Sequence, residues 1–482
     1  MTNDPSRLLI VASNRGPVSY SHAADGSLTA RRGGGGMVSG LVSGLGAVAG
    51  DGEARWLCAA LSEADREAAR QPEATPPGEV PVRMLDIPED VYRPAYNGIA
   101  NSVLWFVHHL LFDTPNQPQF GAAFRADWAA YLRYNEAFAD ALAQDCALGT
   151  RVLVQDYHLA LVPRLLRDRH PDALIAHFEH TPWAPPDYYQ LLPEDVAAAI
   201  LDGMLGADHA GFLAERWAGA FLDCCEAVLG AKVTRHGAGT GQVSYRGRVT
   251  EVAVHPLGVD AEELRARGRQ DDVRTRARAL TEAARGRQLI VRVDRTELSK
   301  NIVRGFAAYR ELLISHPEWR GRVTHLAFAY PSRSDLAEYR AYTARVHELA
   351  AAINAEFGTP DWDPLILEVR DDYPRSLAAC GLADVLLVNP IRDGMNLVAE
   401  EGPILSERGC ALVLSRQAGA AELIGEAALL VNPYDVSATA DALHAGLIMP
   451  AVERQKRSAI VASAAAERAP RHWLAEQVKA LG

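Results

Sequence analysis

The sequence is poor in the features that mark secreted, membrane-spanning or nucleic-acid-binding chains. Its six cysteines never form a Cys-x-x-Cys pair, so neither a disulfide framework nor a zinc site is indicated. No unbroken apolar run could span a bilayer, and the first residues lack a basic-then-apolar leader. Basic residues number 49 against 61 acidic ones, for a net charge of −12. We therefore expect a cytoplasmic protein that binds neither membranes nor nucleic acid.

What the sequence does contain is a series of short apolar runs separated by longer helical patterns. The runs lie at residues 8–12, 152–154, 173–178, 288–293, 324–329, 365–369, 385–388, 411–414 and 429–431. Continuous apolar strands that alternate with helices are typical of parallel sheets covered on both faces. A chain of 482 residues is too long for one ordinary core. The pattern therefore predicts an α/β protein with two such sheets.

A domain boundary is expected near residues 255–259, just after a candidate antiparallel hairpin. We predict a Rossmann-like domain at residues 1–256 and a second one at 257–465. We also predict a final helix at 466–482 that packs back on the first domain. In such sheets, ligands bind beyond the carboxyl ends of the strands. Polar residues stand at such ends, namely Asn14, Arg15, Asp156, His180, Arg295, Lys300, Arg333 and Asp393. We therefore expect a central cleft between the two domains.

Arg295 and Lys300 follow the apolar run at 288–293 and precede a helical pattern at 302–313. Two cations at the exit of a strand suit a leaving pyrophosphate, and one well-aimed donor stabilises a transition state by about 2.7–4 kcal/mol. A solvated, charged loop is the alternative interpretation. The position of the pair between a strand and a helix favours the functional one.

A second segment, Asp393-Gly394-Met395-Asn396-Leu397-Val398, follows the run at 385–388. Glycine permits a tight turn, and a helix that begins near Asn396 would point its positive end at a phosphate. Asp393 could hold sugar hydroxyls, and Glu401 could accept hydrogen bonds from a ribose diol. An ordinary Asp-Gly turn with a capped helix explains Asp393 and Gly394 but not the whole cluster.

The glycine-rich stretch at 32–40 could let backbone approach a ligand closely, because glycine has no Cβ. Amides at the start of the following helix could then hold a phosphate or a sugar. The spacing matches neither the dinucleotide-binding nor the P-loop pattern. A flexible loop is an equally good interpretation of Gly35 and Gly36.

Asp156 and His180 each follow an apolar run. Taken alone, Asp156 could cap a helix beginning at Tyr157, and His180 could be a hydrogen-bonded core residue. The Asp-x-Asp pattern at 361–363 resembles that of metal-dependent glycosyltransferases. It precedes a strand, away from the expected cleft, so a plain loop is predicted there and no metal site.

Four further residues suit a phosphorylated sugar. Arg15 and Arg333 could form bidentate contacts with a phosphate, as arginine does well. Tyr96 and Trp105 could lie against a sugar ring, although core aromatics are the simpler interpretation.

In this order, the motifs resemble those of the trehalose-6-phosphate synthase family, retaining glycosyltransferases of family 20 with the GT-B fold. The resemblance runs from Leu8 to about Pro433. Its elements are Ser13-Asn14-Arg15, Gly35-Gly36, Tyr96-Asn97 with Val103-Leu104-Trp105, Asp156-Tyr157-His158-Leu159, His180-Thr181-Pro182-Trp183, Arg295 with Lys300, Ser332-Arg333-Ser334-Asp335, and Asp393 to Glu401.

The resemblance implies a role for each group of residues. By this resemblance, glucose 6-phosphate is contacted by Arg15, Tyr96, Trp105 and Arg333. Donor binding falls to Gly35, Gly36, Gly394, Met395, Asn396, Leu397, Val398 and Glu401. Catalytic roles fall to Asp156, His180, Arg295, Lys300 and Asp393. The family works without a metal, a cofactor or a carboxylate nucleophile, and the leaving phosphate is thought to take the acceptor proton.

Two departures resemble an actinobacterial branch of that family. Thr296-Glu297-Leu298-Ser299-Lys300 replaces the familiar Leu-Asp-Tyr-Ser-Lys, and Thr181-Pro182-Trp183-Ala184 replaces Ile-Pro-Phe-Pro. That branch is similar to enzymes that use GDP-glucose, and to a pseudo-glycosyltransferase that joins GDP-valienol to validamine 7-phosphate.

The expected activity is glucose transfer from GDP-glucose, with UDP-glucose as the alternative donor, to glucose 6-phosphate, giving α,α-trehalose 6-phosphate. The pseudo-glycosyltransferase and a catalytically silent nucleotide-sugar-binding subunit are the alternatives. Assembly into a homo-oligomer is compatible with the sequence.

Overall fold

The computed structural model describes residues 8–23, 25–32, 41–42, 45, 53–70 and 80–481. The chain divides into two compact units, one made of Met1–Leu257 with Pro470–Gly482 and the other of Gly258–Ala469. The predicted loop residues Gly35 and Gly36 lie outside the described residues. None of the helices in the described ranges combines the length and apolar character that crossing a bilayer requires.

The first unit is built on a mixed sheet with a parallel centre. Its strands are β1 (Leu9–Ser13), β2 (Val18–His22), β3 (Leu28–Arg32), β4 (Ala54–Ala59), β5 (Val82–Leu85), β6 (Arg151–Gln155), β7 (Leu174–Glu179), β8 (His209–Phe212), β9 (Lys232–Gly237), β10 (Thr240–Tyr245) and β11 (Arg248–Val254). Within the described ranges, nine of them follow the order β5-β4-β1-β6-β7-β8-β11-β10-β9, and β2 pairs with β3 separately. The pairs from β5 to β11 are parallel, while β9, β10 and β11 form the predicted antiparallel hairpin and its extension.

Helices cover this sheet. They are Glu63–Ala69, Glu89–Arg93, the π-helical Pro94–Leu104, Trp105–His108, Ala122–Asp145, the 3₁₀ turn Tyr157–Leu159, Val162–Arg169, Pro186–Tyr189, Glu194–Met204, Glu215–Leu229 and Pro470–Lys479. In Ala122–Asp145, the buried side chains of Phe124, Trp128, Tyr131, Tyr134 and Phe138 recur every three or four residues, which places them on one face. The Tyr131 hydroxyl donates to the Tyr157 carbonyl oxygen at 2.6 Å, so this helix also fixes the loop after β6.

The second unit has a fully parallel sheet. Its strands are β12 (Gln288–Arg295), β13 (Val323–Tyr330), β14 (Leu365–Glu368), β15 (Val385–Val388), β16 (Ala411–Ser415) and β17 (Leu429–Val431). They lie in the order β14-β13-β12-β15-β16-β17, and every neighbouring pair is parallel. Since β12 lies between β13 and β15, the loops that follow these three strands leave the same edge of the sheet side by side.

The helices of the second unit are Ala261–Gly268, Asp271–Ala284, the 3₁₀ turn Leu298–Lys300, Ile302–Ser315, the 3₁₀ turn Pro317–Trp319, Ala337–Phe357, Tyr373–Leu382, Val398–Leu405, Ala421–Ile424, the 3₁₀ turn Gly425–Ala427, Val436–Ile448 and Ala451–Glu467. The core includes Phe306, Tyr309 and Leu313, which project from one face of Ile302–Ser315. Fully burying a side chain of this kind contributes about 1.5–3 kcal/mol. This packing anchors the helix directly behind Lys300.

Two local predictions need correction. The helix expected near Asn396 begins at Val398, because Asn396 takes a left-handed backbone conformation with φ of 77°. The helix expected to start at Tyr157 is a single 3₁₀ turn, and the Asp156 side chain does not cap it. At both places, the chain makes a tight turn before it can enter regular α-helix.

Candidate active site

Asp156 and His180 leave adjacent strands of the first unit. β6 pairs with β7 in parallel, and the amide of Asp156 donates to the carbonyl oxygen of Phe178 at 2.7 Å. Asp156 itself has a φ of 75°. A positive φ in a residue other than glycine typically costs about 1–3 kcal/mol, and such residues cluster at functional sites.

Charge on Asp156 is supported by a neighbouring histidine. Nδ1 of His158 lies 3.4 Å from Oδ2 of Asp156, and both side chains are largely buried. Burial favours the neutral acid, but the hydrogen bond and the charge of His158 outweigh it and hold the pKa of Asp156 well below its usual range. Asp156 is therefore ionised at neutral pH and can accept a hydrogen bond from a hydroxyl group.

His180 has a defined tautomer. Burial lowers its pKa to about 4, so the ring is neutral at neutral pH. Its Nε2 lies 2.9 Å from Oε1 of Gln155, an oxygen that only accepts hydrogen bonds. Nε2 therefore carries the proton, and Nδ1 is left as an acceptor that suits a sugar hydroxyl.

The residues predicted to bind a phosphorylated sugar fall into two groups in the first unit. Nη2 of Arg15 donates to the hydroxyl of Tyr96 at 3.4 Å, and the Tyr96 ring stacks on His158 at 5.6 Å. Arg15 and Tyr96 thus join Asp156 through His158. Trp105 is almost fully buried and stacks on His109 at 3.9 Å. It lies one ring further inside than the others.

In the second unit, two arginines share one buried carboxylate. Oε1 of Glu297 lies 3.0 Å from Nη1 of Arg295 and 3.5 Å from Nη1 of Arg333, and it accepts from Oγ of Ser332 at 2.8 Å. Burial opposes charge on Glu297, but Arg295, Arg333 and Lys300 lower its pKa to about 2. Glu297 therefore stays ionised and holds the guanidinium groups of Arg295 and Arg333 close together.

Lys300 and Asp393 form another ion pair at these strand ends. Nζ of Lys300 lies 2.5 Å from Oδ2 of Asp393, and Nδ2 of Asn396 donates to the same oxygen at 3.1 Å. Burial disfavours the ammonium, yet Asp393, Asp294 and Glu297 raise the pKa of Lys300. The pair is close because Lys300 follows β12, Asp393 follows β15, and these strands are neighbours.

The turn from Asp393 to Val398 is fixed by backbone contacts. The amide of Gly419 donates to the carbonyl oxygen of Asp393 at 3.1 Å, and an added Cβ at Gly419 would lie 1.9 Å from the carbonyl oxygen of Gly394. No side chain larger than hydrogen fits there. Gly394, Met395 and Asn396 are buried, whereas Leu397 and Val398 are half-buried just where the helix begins.

Glu401 lies in the first turn of that helix, next to Glu400. Burial raises the pKa of each carboxyl to about 7. Oε2 of Glu400 accepts from the amide of Val259 at 2.9 Å, so Glu400 already holds the segment that opens the second unit. Glu401 is the member of the pair that the sequence predicts to accept hydrogen bonds from a ribose diol.

One possible metal-ligand group occurs in the described part of the chain, at His316, Glu318 and His444. It lies at the opposite end of helix Ile302–Ser315 from Lys300. The two imidazole rings stack at 3.7 Å with an interplanar angle of 6°. Their in-plane nitrogen lone pairs run parallel instead of converging on one ion, so we assign no metal to them.

Sequence reasoning gave no role to three residues that organise the site. His158 supports Asp156 and stacks on Tyr96, Glu297 holds Arg295 with Arg333, and Glu179 follows Phe178 at the end of β7. Each lies within or next to a strand-end motif that the sequence had already singled out. The sequence therefore indicated where these three residues lie, but it did not indicate which side chains they contact.

Comparison with known proteins identifies relatives along nearly the whole chain. The model of "Glycosyltransferase family 20" matches residues 7–482. The chain is 33% identical to the "Alpha,alpha-trehalose-phosphate synthase [UDP-forming]" of Schizosaccharomyces pombe, over 93% of this chain and 85% of the relative. It is also 33% identical to the "Probable alpha,alpha-trehalose-phosphate synthase [UDP-forming] 2" of Arabidopsis thaliana, over 94% of this chain. There the chain spans only 54% of the relative's length.

Two solved structures are similar throughout. "Trehalose-6-phosphate from E. coli bound with UDP-2-fluoro glucose" gives a TM-score of 0.85 at 28% identity, over 98% of each chain. The "alpha,alpha-trehalose-phosphate synthase (UDP-forming) from Burkholderia xenovorans in complex with glucose-6-phosphate" gives 0.85 at 26%, over 99% of this chain and 100% of that one. These likenesses confirm the predicted α/β, GT-B-type fold with parallel sheets. With the family match across residues 7–482, they show that this chain belongs to glycosyltransferase family 20, a family of sugar-transferring enzymes.

Proposed function

We propose that this protein transfers glucose, with retention of configuration, from a nucleoside-diphosphate glucose to glucose 6-phosphate, forming α,α-trehalose 6-phosphate. The observation that carries the proposal is the grouping of Arg295, Lys300 and Arg333 around Glu297 and Asp393 at adjacent strand ends. The names of the relatives support the same reaction.

The donor side of the proposal rests on the second unit. When the glycosidic bond breaks, negative charge develops on the departing diphosphate. Preorganised cations stabilise such charge, each by about 2.7–4 kcal/mol. Arg295 is 52% exposed and offers its remaining N–H groups to a ligand, while Lys300 is held in place by Asp393. The turn Gly394–Val398 and the Glu401 carboxyl are proposed to bind the nucleotide.

The acceptor side rests on the first unit. Arg15 is exposed next to Tyr96, which suits a sugar phosphate, and the ionised Asp156 can accept a hydrogen bond from an acceptor hydroxyl. Trp105 is proposed to lie along the sugar, and Nδ1 of His180 to accept from a donor hydroxyl. Arg333 is proposed as a second phosphate contact, although it shares Glu297 with Arg295.

The identity of the nucleotide is a finer proposal. The relatives are named UDP-forming, and they do not support the GDP preference expected from the sequence. We still include GDP-glucose among the proposed donors, and we still propose the actinobacterial branch. Both proposals rest on Trp183 and on the stretch 296–298. UDP-glucose is now the better-supported donor.

A donor panel tests these proposals together. The purified protein is incubated with glucose 6-phosphate and UDP-, GDP- or ADP-glucose, and separately with GDP-valienol and validamine 7-phosphate. The product is identified by mass spectrometry and by NMR of its anomeric protons. We expect an α,α-linked disaccharide phosphate with at least one donor. Product only from a valienol-type donor would support the pseudo-glycosyltransferase, and ligand-induced thermal stabilisation without any product would support the silent subunit.

A further inference from the structure

We propose that Glu179 is a positioning residue that shares one proton with Asp156 and thereby sets the direction and charge of the Asp156 carboxylate. This inference deepens the acceptor role proposed for Asp156. Glu179 ends β7, and the pairing of Gln155 with Phe178 brings Asp156 opposite Glu179 at the next position along the two strands. The strand register itself thus brings two acids together inside the first unit.

The hydrogen bonds of Glu179 leave one oxygen for Asp156. Oε1 accepts from both the amide and the hydroxyl of Thr181, at 3.0 and 2.7 Å. Oε2 of Glu179 and Oδ1 of Asp156 are buried, and neither accepts from any N–H or O–H donor of the described residues. The register of β6 and β7 places the two carboxyl groups at the same strand ends, and each affects the pKa of the other. A single proton between them satisfies both buried oxygens, which two ionised groups could not do.

The surroundings place that proton on Glu179. Glu179 is fully buried, and burial together with the charge of Asp156 raises its pKa well above the usual value. The other titratable side chains around the pair are Tyr131, His158, His177 and His180. His158 lies beside Asp156 and stabilises its ionised form. Nε2 of His177 lies 3.8 Å from Oε2 of Glu179, but burial lowers the pKa of that ring to about 3, so it is neutral and supplies no positive charge to Glu179.

The shared proton has two consequences for an anionic acceptor. It fixes Oδ1 of Asp156, while Nδ1 of His158 lies 3.4 Å from Oδ2 and attracts it electrostatically, so the orientation of the carboxylate is set from both sides. It also keeps the pair at one negative charge. Ionisation of Glu179 at high pH would double that charge and repel a sugar phosphate.

The test compares Glu179→Gln with Glu179→Leu. Glutamine keeps the shape, still accepts from Thr181, and donates an N–H to Asp156 without a titratable proton. We expect Glu179→Gln to stay within about threefold of the parent in kcat/KM for glucose 6-phosphate, and Glu179→Leu to lose roughly 10- to 100-fold. The KM for the donor should change little in either variant. Glu251→Gln, at an exposed position of β11, is the matched control.

The pH profile separates this role from simple packing. The parent and Glu251→Gln should lose kcat/KM for the acceptor as alkaline pH ionises Glu179, and Glu179→Gln should lack that decline. Glutamine as damaging as leucine in a variant that melts normally would overturn the proposal, as would an unchanged alkaline decline in Glu179→Gln.

An infrared measurement tests the shared proton without any activity. At pH 8, where Glu400 and Glu401 with pKa values of about 7 are mostly ionised, the parent should retain a buried carboxylic-acid C=O band that Glu179→Gln lacks. Absence of that band in the parent would refute the shared proton even if the protein makes trehalose 6-phosphate. Its presence in a protein inactive with every donor would refute only the proposed function.

Discussion

At the scale of single residues, the two cations proposed to act on the diphosphate differ in how they are held. Arg295 is 52% exposed and touches one oxygen of Glu297, whereas Lys300 is 15% exposed and paired with Asp393. If Arg295 is removed, the buried Glu297 carboxylate still has Arg333 and Lys300 nearby, whereas removal of Lys300 takes away the cation paired with the largely buried Asp393. The same substitution should therefore have different effects on folding at the two positions.

We predict that Arg295→Ala lowers kcat by about 100- to 1000-fold with little change in thermal stability. Lys300→Ala should lower kcat at least as much and also reduce the free energy of unfolding by about 3 kcal/mol. Steady-state kinetics and chemical denaturation measure the two effects. Arg310→Ala, which removes an exposed pair with Glu356 in the same unit, is the control and should leave both unchanged. Parent-like rates in both site variants would contradict the assignment.

Glu401 gives a pH-dependent prediction. Its pKa of about 7 means that it gains a proton as the pH falls through neutrality, and a protonated carboxyl is a poorer acceptor for a ribose diol. Binding of UDP-glucose, whose phosphates are diesters and stay ionised, should weaken by about tenfold from pH 8 to pH 6. Calorimetry measures the dissociation constant. Glu401→Gln should bind weakly at both values, and a parent affinity independent of pH would argue against a contact between Glu401 and the nucleotide.

Sequence reasoning predicted which strand-end residues would lie near one another but not the contacts among their side chains. Arg295, Lys300 and Asp393 were predictable because strand ends of a parallel sheet gather at one edge. That Arg333 would share Glu297 with Arg295 was not predictable, since that depends on the contact of its side chain with Glu297. The pairing of Asp156 with Glu179 likewise depends on strand register, which the spacing of the motifs does not determine.

At the scale of secondary-structure elements, the helix Pro470–Lys479 packs directly behind the first unit's strand ends. Trp473 is 1% exposed, meets the Phe178 ring edge-on at 5.0 Å, and lies 5.7 Å from the His180 ring. His180 is thus held from one side by Gln155 and from the other by an aromatic side chain from the end of the chain.

We predict that Trp473→Ala reduces the free energy of unfolding by about 3–5 kcal/mol, as other large-to-small changes at buried aromatic positions do. It should also lower kcat at temperatures far below melting, because the His180 ring loses a neighbour that fixes its plane. Differential scanning calorimetry measures the change in stability. Steady-state kinetics measure kcat at roughly 15 to 20 degrees below the midpoint of thermal unfolding, given the usual width of such transitions. Lys479→Ala, exposed in the same helix, should change neither quantity.

Two of the strands missed by the sequence prediction, β5 and β8, share a physical cause. β8 has only four residues and includes a histidine and a glycine, and β5 has four half-buried residues that include an arginine. Segments this short and polar show too few apolar residues for a strand to be predicted from the spacing of those residues. They are buried by residues that are distant in the sequence. The central strands β1, β7 and β12 were predictable because both of their faces are buried, which makes the apolar runs continuous.

At the scale of the whole molecule, the proposed function divides the ligands between the two units. The acidic excess of the chain does not oppose this, because the relevant cations are local. Arg15 and Asp156 belong to the first unit, and Arg295, Lys300 and Glu401 belong to the second. Each ligand should therefore leave a separate signature in amide hydrogen exchange.

We predict that UDP alone slows exchange at residues 296–301 and 392–401, whereas glucose 6-phosphate alone slows it at residues 14–16 and 156–160. Ligand contacts reduce local opening, which exchange mass spectrometry measures segment by segment. The surface helix Ala451–Glu467 serves as an internal control and should be unaffected by either ligand. The reverse pattern would mean that the donor and acceptor assignments are exchanged.

The helix that carries Trp473 belongs to the first unit although the entire second unit is encoded before it. During synthesis, the ribosome therefore releases the second unit complete before it releases the residue that closes the core around Phe178. Domains generally fold as units as they emerge. Here the unit that is translated first cannot finish folding until the helix Pro470–Lys479 has emerged, so the rings of Phe178 and His180 lack their Trp473 neighbour until then.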